Sequence, residues 1–573
     1  MNDIRRTILW VIFGFSMVLL WDQWQVYNGN KATFFPNPAQ QQAAATAASK
    51  GASDASVPSA VAAPGATVAQ LPTVPSAPSA PAAPKERFEV TTDVLKLTFD
   101  TEGGSLVRAE FLKYSDMADK SRNFVLLDDS KDRIYLAQTG VAAGAAGGAF
   151  PNHKTPMTAT GPRTLADGQD SMVLQFASPE VGGLKLIKTY TLRRGAYDMA
   201  VKHELINTSN APIAPQLYLQ LVRDGNKPAG ESSFYSTFTG PAIYTEAKKY
   251  QKAEFADIKK KNFDVEKQAT NGYISMVQHY FASAWMLPDG IPRSLSLDAV
   301  DIGATLPDCC YRVTMIAPLE AIAPGASKVV DAKLFAGPQV EKMLESLAPG
   351  LELVKDYGWL TILAKPLYWL LDQLHTLLQN WGWSIVALVL LLKIAFYWLN
   401  AKAYASMAKM KAVNPKIMEM RERLKDSPQQ MQKEMMEIYR KEKVNPMGGC
   451  FPIMVQIPVF IALYWVLLSS VEMRNAPWAL WIHDLSSPDP YYILPLFMTL
   501  TTLLQTALNP APPDPMQAKM MWFMPLAFSV MFFFFPSGLV LYWITNNVLS
   551  IAQQWIINTR MGVPPQFNLP KFK

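Results

Sequence analysis

Between residues 86 and 340 the apolar positions recur at every second residue. In DVLKLTF, Leu95, Leu97 and Phe99 alternate with Lys96 and Thr98. In LKLIKTYTL one face holds Leu184, Leu186, Lys188, Tyr190 and Leu192; in MAVKHEL it holds Met199, Val201, His203 and Leu205. Gly103-Gly104, Arg194-Gly195 and Asn207–Asn210 punctuate these runs. Many short alternating strands with turns between them predict an antiparallel β sandwich. The lysine-rich insertion Glu246–Lys267 predicts a loop or short helix.

The period then changes. In residues 341–380, Leu367, Leu370, Leu371, Leu374, Leu377 and Leu378 follow helical spacing, with Asp372, Gln373, His375 and Gln379 on the other side. Such a polar face suits a helix lying in a membrane interface. Five apolar stretches follow, at 381–400, 450–470, 491–508, 520–535 and 537–557. Each approaches the ~20 residues that a bilayer core requires. Residues 381–558 therefore predict a five-helix membrane core with residues 401–447 outside the bilayer. At the other end, Arg5 and Arg6 precede an apolar run from Thr7 to Trp21 with no small-residue cleavage site directly after it, so residues 1–24 predict an uncleaved signal anchor; cleavage within the Ala-rich stretch beyond is the alternative. That makes six spans in all.

Residues 25–85 predict a tether. From 37 to 84 they are almost entirely Ala, Pro, Ser, Gln, Thr, Val and Gly, with Lys50 and Asp54 the only charges. Such a stretch buries too little apolar area to offset its ordering entropy. Charge gives the orientation. Residues 401–447 hold eleven Lys or Arg against six Asp or Glu, and the tail 559–573 has Arg560, Lys571 and Lys573 with no acid. The loop 472–490 holds Glu472, Asp484 and Asp489 against one Arg474. Positive residues gather on the cytoplasmic side, so both termini are expected inside and the sandwich outside the cytoplasmic membrane.

The chain has 573 residues, more than one compact core accommodates. Cys309, Cys310 and Cys450 form neither a disulfide framework nor a zinc spacing, so unpaired thiols are expected. No G-x-x-x-x-G-K-[ST] loop and no G-x-S-x-G elbow occurs, and KHELI at 202–206 lacks the second histidine of a zincin. Asn207-Thr-Ser spells a glycosylation acceptor but sits in a turn. Nothing points to an enzyme, a metal or a cofactor.

The candidate chemistry is a charge in the wrong place. Lys393 lies inside SIVALVLLLKIAFYWLN, about 9 Å below the cytoplasmic end of that stretch. An ammonium there costs ~2.5 kcal/mol or more on insertion scales. Either it snorkels to the headgroups or it faces a hydrated cavity. Gln456 (between Pro452 and Pro458), Gln505, Thr545, Asn546, Asn547, Gln553 and Gln554 give other stretches polar groups too. Hydrogen bonding between helices explains some of them; a polar groove explains them together. In the cytoplasmic segment, Met407, Met410, Ile417, Met420 and Leu424 suit one helix and Met431, Met435, Ile438 and Tyr439 a facing one, with Asp426-Ser427-Pro428 as the turn. They pack the hairpin, or they offer a deformable surface to apolar clients.

SMAKMKAVNPKIMEMRERL (406–424), EKVNPMGGCFPIMVQIPVFIALYW (442–465), ALWIHDLSSPDPYYILP (479–495) and FPSGLVLYWITN (535–546) resemble the YidC membrane-protein insertases of Gram-negative bacteria, relatives of the mitochondrial and chloroplast insertases. The match is close in the membrane half and looser before it. The resemblance implies a periplasmic β-supersandwich related to sugar mutarotases. It also implies a hydrated, positively charged groove with Lys393, Gln456, Trp543 and Asn546, a client exit face at Pro458 and Phe460, and hairpin methionines Met420, Met431 and Met435. As insertase and chaperone, the chain would insert nascent inner-membrane proteins and help them fold, alone or with the Sec translocon, with transient ribosome contact, no ATP hydrolysis and no nucleic-acid sequence read. The family's groove cation is usually arginine; here Lys393 keeps the charge without the bidentate fork. Val389 and Trp543 stand where some members carry threonine and tyrosine. Two other classes remain: a carbohydrate epimerase, resting on the sandwich's implied kinship alone, and a secondary transporter, for which no inverted repeat is visible.

Overall fold

The computed structural model describes residues 57–58, 86–142, 149–228, 230, 237–302, 306, 309–424, 427–442, 451–509, 515–560, 562 and 567. The expected signal anchor at 1–24, Cys450, the tail's lysines and all of the 25–85 tether except Val57 and Pro58 lie outside the described residues.

Two nine-stranded antiparallel sheets form the sandwich. The first runs from the edge strand Arg87–Thr91 through Leu95–Asp100, Ser105–Ser115, Asn123–Asp129 and Ile134–Val141. It continues through Gln216–Arg223, Tyr311–Pro318 and Arg293–Ala299 to Gln268–Ala269. The second runs from Lys249–Lys252 through Gly240–Thr245, Tyr273–Gln278, Phe281–Met286 and Ser327–Pro338. Asp198–Asn207, Leu184–Arg193, Ser171–Ala177 and Thr158–Thr160 complete it. The insertion at 246–267 contributes the edge strand Lys249–Lys252 and the short helix Phe255–Lys259.

The alternation seen in the sequence is the burial pattern. Leu184, Leu186, Tyr190 and Leu192 are buried between the sheets, as are Met199, Val201 and Leu205. The same period carries Lys188 and His203 into the core, directly opposite each other on neighbouring strands. The Lys188 amine donates across to the first sheet, to the Gly103 carbonyl at 2.6 Å and the Thr139 carbonyl at 2.7 Å. His203 Nε2 lies 3.0 Å from the Thr139 hydroxyl. A buried amine is tolerable where carbonyls satisfy it.

The turn at Asn207 is built by its own side chain. It donates to the carbonyls of Ala211 and Ile322, both at 2.8 Å, and accepts from Ser209. The amide is thus committed to the fold. Cys309 and Cys310 face each other, as their adjacency in the chain dictates.

Beyond the sandwich and the short helix Glu341–Leu347, the described residues form eight longer helices: α1 (Thr361–Leu378), α2 (Trp381–Ala395), α3 (Tyr397–Arg423), α4 (Pro428–Lys441), α5 (Phe451–Ser469), α6 (Ile493–Leu508), α7 (Pro515–Met531) and α8 (Ser537–Arg560). α1 stops because Gln379 takes a left-handed conformation (φ 54°), and α2 starts because the Asn380 side chain accepts from the Trp383 N–H at 3.1 Å. The expected span 381–400 is not one straight helix. It ends at Ala395 and meets α3 at a 67° bend, so the hairpin's first helix begins at Tyr397 rather than Ala401. Among the described residues no single helix is long and apolar enough to cross a membrane; that bent pair passes together, and shorter apolar helices cover Gln456–Ser469, Ile493–Leu508 and Ala518–Phe534. Ile394, Trp398, Leu500, Phe523 and Val530 are nonetheless exposed. Large apolar side chains left exposed in such number suit a surface covered by lipid or protein.

Burial holds the Lys188 amine down to about 7 and the His203 imidazole down to about 3. In the unfolded chain both bases bind protons at higher pH, so folding releases protons. Sandwich stability therefore rises with pH, from about 3 to 6.5 through His203 and from about 7 to 10.5 through Lys188. Lys188→Met is expected to remove the upper window, a swing on the order of 4 kcal/mol. Hydrogen exchange of the sandwich in the full chain between pH 7 and 10 reads it; an unchanged slope would refute the assignment.

Candidate substrate groove

The second hydrophobic core lies among the helices, and one end of it is hollow. A cavity of about 600 Å³ opens between α2, α3, α5, α6, α7 and α8. Lys393 is its one charged lining residue among those described. The residue is 7% exposed, and its amine donates to Ser550 Oγ at 2.7 Å. Ser550 in turn donates to the Asn546 carbonyl one turn back on α8 at 2.6 Å. No carboxylate among the described residues pairs with Lys393. Amides and hydroxyls line the rest of the polar wall, among them Gln456, Gln505, Asn546 and Thr502. Asn400 bonds Gln553 at 3.1 Å, and Asn547 bonds Thr502 at 2.9 Å, pinning α8 to α3 and α6.

Four residues expected to share a groove, Lys393, Gln456, Trp543 and Asn546, do line one cavity. Phe460 joins them, with its ring 5.8 Å from that of Trp543. Pro458, half-buried inside α5, is not among the lining residues. The hairpin methionines lie elsewhere. Met420 is buried with Val413 and Ile417, and Met410, Leu424, Met431, Met435, Ile438 and Tyr439 pack around them. Their face is the seam between α3 and α4, while Met418 and Met436 are the exposed ones. Met407 leaves that seam and lines the cavity. Asn400 and Ser550 line the cavity too, although neither stands out on its own in the sequence. A signal for Ser550 was present: Trp543, Asn546, Asn547, Ser550, Gln553 and Gln554 follow one helical stripe, i, i+3, i+4, i+7.

Toward the sandwich the bundle is filled rather than hollow. Leu485, Ile482, Met473, Phe535, Leu539 and Tyr542 belong to one packed cluster. The 471–490 loop is held there by backbone: Ser537 and Gly538 N–H donate to the Ser487 and Leu485 carbonyls, each at 2.8 Å. Asp489 accepts from the Leu494 N–H at 2.7 Å and from Trp481 Nε1 at 3.0 Å, anchoring the start of α6.

The sandwich docks on this closed end. Arg474 donates to the Ser115 carbonyl at 2.5 Å and lies over the rings of Tyr280 and Phe281, its guanidinium carbon 5.2 and 5.3 Å from their centroids. Lys120 bonds Asp484 at 3.0 Å. Beneath them Glu472 accepts from Lys355 at 3.2 Å and from the Tyr368 hydroxyl at 2.6 Å. The Lys355 side chain is 0% exposed. Glu472 thus ties the segment leading into α1, and α1 itself, to the loop after α5.

With this geometry in place, the family follows. A family model described as "YidC periplasmic domain" matches residues 87–370, and one described as "60Kd inner membrane protein" matches residues 373–563. A curated relative from Cupriavidus taiwanensis, "Membrane protein insertase YidC", is 54% identical over 98% of each chain. The chain belongs to the YidC family of membrane protein insertases. The sandwich is thus its periplasmic domain, and the family is one of inner-membrane insertases, not an enzyme class. Among solved structures, the chain is 17% identical to "Active YidC insertase crystal structure with the first transmembrane domain resolved", covering 82% of this chain and 92% of that one with a TM-score of 0.37. A galactose mutarotase related enzyme from Lactobacillus acidophilus is 8% identical, covers 44% of this chain and 97% of its own, and has a TM-score of 0.29.

Removing the Glu472 charge leaves a buried, unpaired Lys355 ammonium. Glu472→Gln is expected to cost ~3 kcal/mol, read as a fall in the melting temperature of the detergent-solubilised chain. Adding Lys355→Met should restore most of it. Equal melting for the single and double variants would contradict this picture of the junction.

Proposed function

We propose that this insertase works through the Lys393 cavity as a half-open groove. The reading rests on one observation: among the described residues, a single ammonium without a carboxylate partner stands in a cavity otherwise lined by amides, hydroxyls and apolar groups. Six spans cross the inner membrane, with both termini and the α3–α4 hairpin in the cytoplasm. The groove opens to the cytoplasm and to lipid, and the packed cluster under the sandwich closes its outer side.

A client enters with a short, often acidic, exported segment beside an apolar helix. Water, Asn546 and Gln456 solvate the segment, and Lys393 attracts its charge. Phe460 and Trp543 form the apolar margin where the client helix passes into lipid, near Pro458 on α5. Burial of that helix drives the step, at ~25 cal/mol per Å² of apolar surface, without ATP. The membrane potential adds ~2.3 kcal/mol per acidic charge per 100 mV. Nascent chains arrive from the ribosome, directly or through the Sec translocon. The packed seam of Met420, Met431 and Met435 makes these methionines braces of the hairpin; Met418 and Met436 are the ones available to a client.

Reconstituted insertion of a single-span client with an acidic exported segment tests the reading. Lys393→Arg is expected to retain activity, and Lys393→Leu and Lys393→Glu to lose at least ~10-fold, the rate equivalent of ~1.4 kcal/mol. Normal insertion by all three variants, at equal protein levels, would overturn it.

A further inference from the structure

The first sheet of the sandwich has an apolar patch on its outward face. Tyr218 and Ile316 are directly opposite on neighbouring strands, and Ala142 follows the strand on the other side of Tyr218. Their alternation with the inward Leu217, Leu219 and Met315 points them away from the core. On a sheet's open face such residues meet water. Here Tyr218 is 0% exposed, Ala142 2% and Ile316 5%. Part of the cover is local: His153 Nδ1 lies 2.6 Å from the Tyr218 hydroxyl. Gly140, opposite Tyr218, leaves the room the ring needs, since a Cβ there would stand 2.6 Å from the hydroxyl.

The rest of the cover comes from far away in the chain. Val57 packs against Ala142, Tyr218 and Ile316, and Pro58 beside it is buried. Both belong to the Ala/Pro/Ser stretch whose composition predicts a free tether. Val57 is the first branched aliphatic side chain in residues 37–84, and the next residue is a proline. Proline has little conformational freedom to lose and no N–H to leave unsatisfied when buried. A Val-Pro pair is therefore the part of this stretch best suited to dock.

We propose that Val57 and Pro58 are a docking point that divides the tether, covering the Ala142–Tyr218–Ile316 patch and shortening the leash between the N-terminal anchor and the sandwich. Resting on the reading of residues 1–24 as a membrane anchor, about 32 residues rather than about 61 then separate that anchor from its first fixed point on the sandwich. The docked segment limits where the first span can sit around the bundle, and undocking releases slack.

Thiol labelling in the full chain tests the docking without depending on that reading. Ile316→Cys is expected to react slowly with a maleimide, and at least ~10-fold faster when Val57→Asp is added, as loss of a buried valine implies. Val57→Asp lies in the tether and leaves the sandwich sequence intact. Pro58→Cys should react more slowly than Ala45→Cys in the same tether. Equal rates for Pro58→Cys and Ala45→Cys, or an Ile316→Cys that stays protected beside Val57→Asp, would overturn the proposal; the second result would mean that another segment covers the patch. Insertion activity does not enter either readout, so failure here and failure of the groove reading are distinguishable.

Discussion

An ammonium kept in an apolar bundle without a counter-ion constrains everything near it. Desolvating such a charge costs several kcal/mol, and no carboxylate among the described residues offsets that around Lys393. What stands in for one is a set of dipoles: the Ser550 hydroxyl at 2.7 Å, itself turned by the Asn546 carbonyl, and the amides of the cavity wall. These are weaker partners than a carboxylate and leave the charge available. A carboxylate in that place would neutralise the site. A longer apolar span without the cavity would have no reason to keep the lysine.

That arrangement holds only if the surrounding helices hold their positions. α8 is fixed by amide and hydroxyl pairs to α3 and α6, and its first turn by backbone bonds to the 471–490 loop. The same loop receives the sandwich through Arg474 and Lys120. Glu472 meanwhile ties it to α1 and Lys355. The periplasmic domain therefore rests on the closed end of the bundle, away from Lys393. Within it, Lys188 and His203 repeat the theme in a water-soluble setting: basic groups on an apolar face, satisfied by carbonyl and hydroxyl oxygens of the opposing sheet.

Much of this was legible in the chain. Period two in LKLIKTYTL and MAVKHEL gave the sandwich faces because a strand exposes alternate residues to one side whatever its neighbours are. Hairpin methionines could be paired by helical spacing for the same reason, and the seam of Met420, Met431 and Met435 is the one that spacing predicts. Other features were out of reach. The bend after Ala395 has no proline or glycine at the break, and hydropathy runs straight through it. Ser550 is an ordinary small residue until α2 brings Lys393 beside it. Phe460 is expected at the exit face from the resemblance alone; its packing against Trp543 carries no signal in the sequence. Val57 and Pro58 sit in a stretch whose average composition says tether, while two residues can dock where the average cannot. Contacts between segments far apart in sequence carry no local period, so pattern reading passes over them.

The central claim is that the Lys393 cavity is wet, opens to the cytoplasm and is where the client sits. A cysteine at Asn546, probed in sealed vesicles with a membrane-impermeant maleimide from each side in turn, tests it most directly. Labelling is expected from the cytoplasmic side alone, suppressed when a client is stalled during insertion. A cysteine that reacts from neither side, or that labels equally with and without the stalled client, would contradict it.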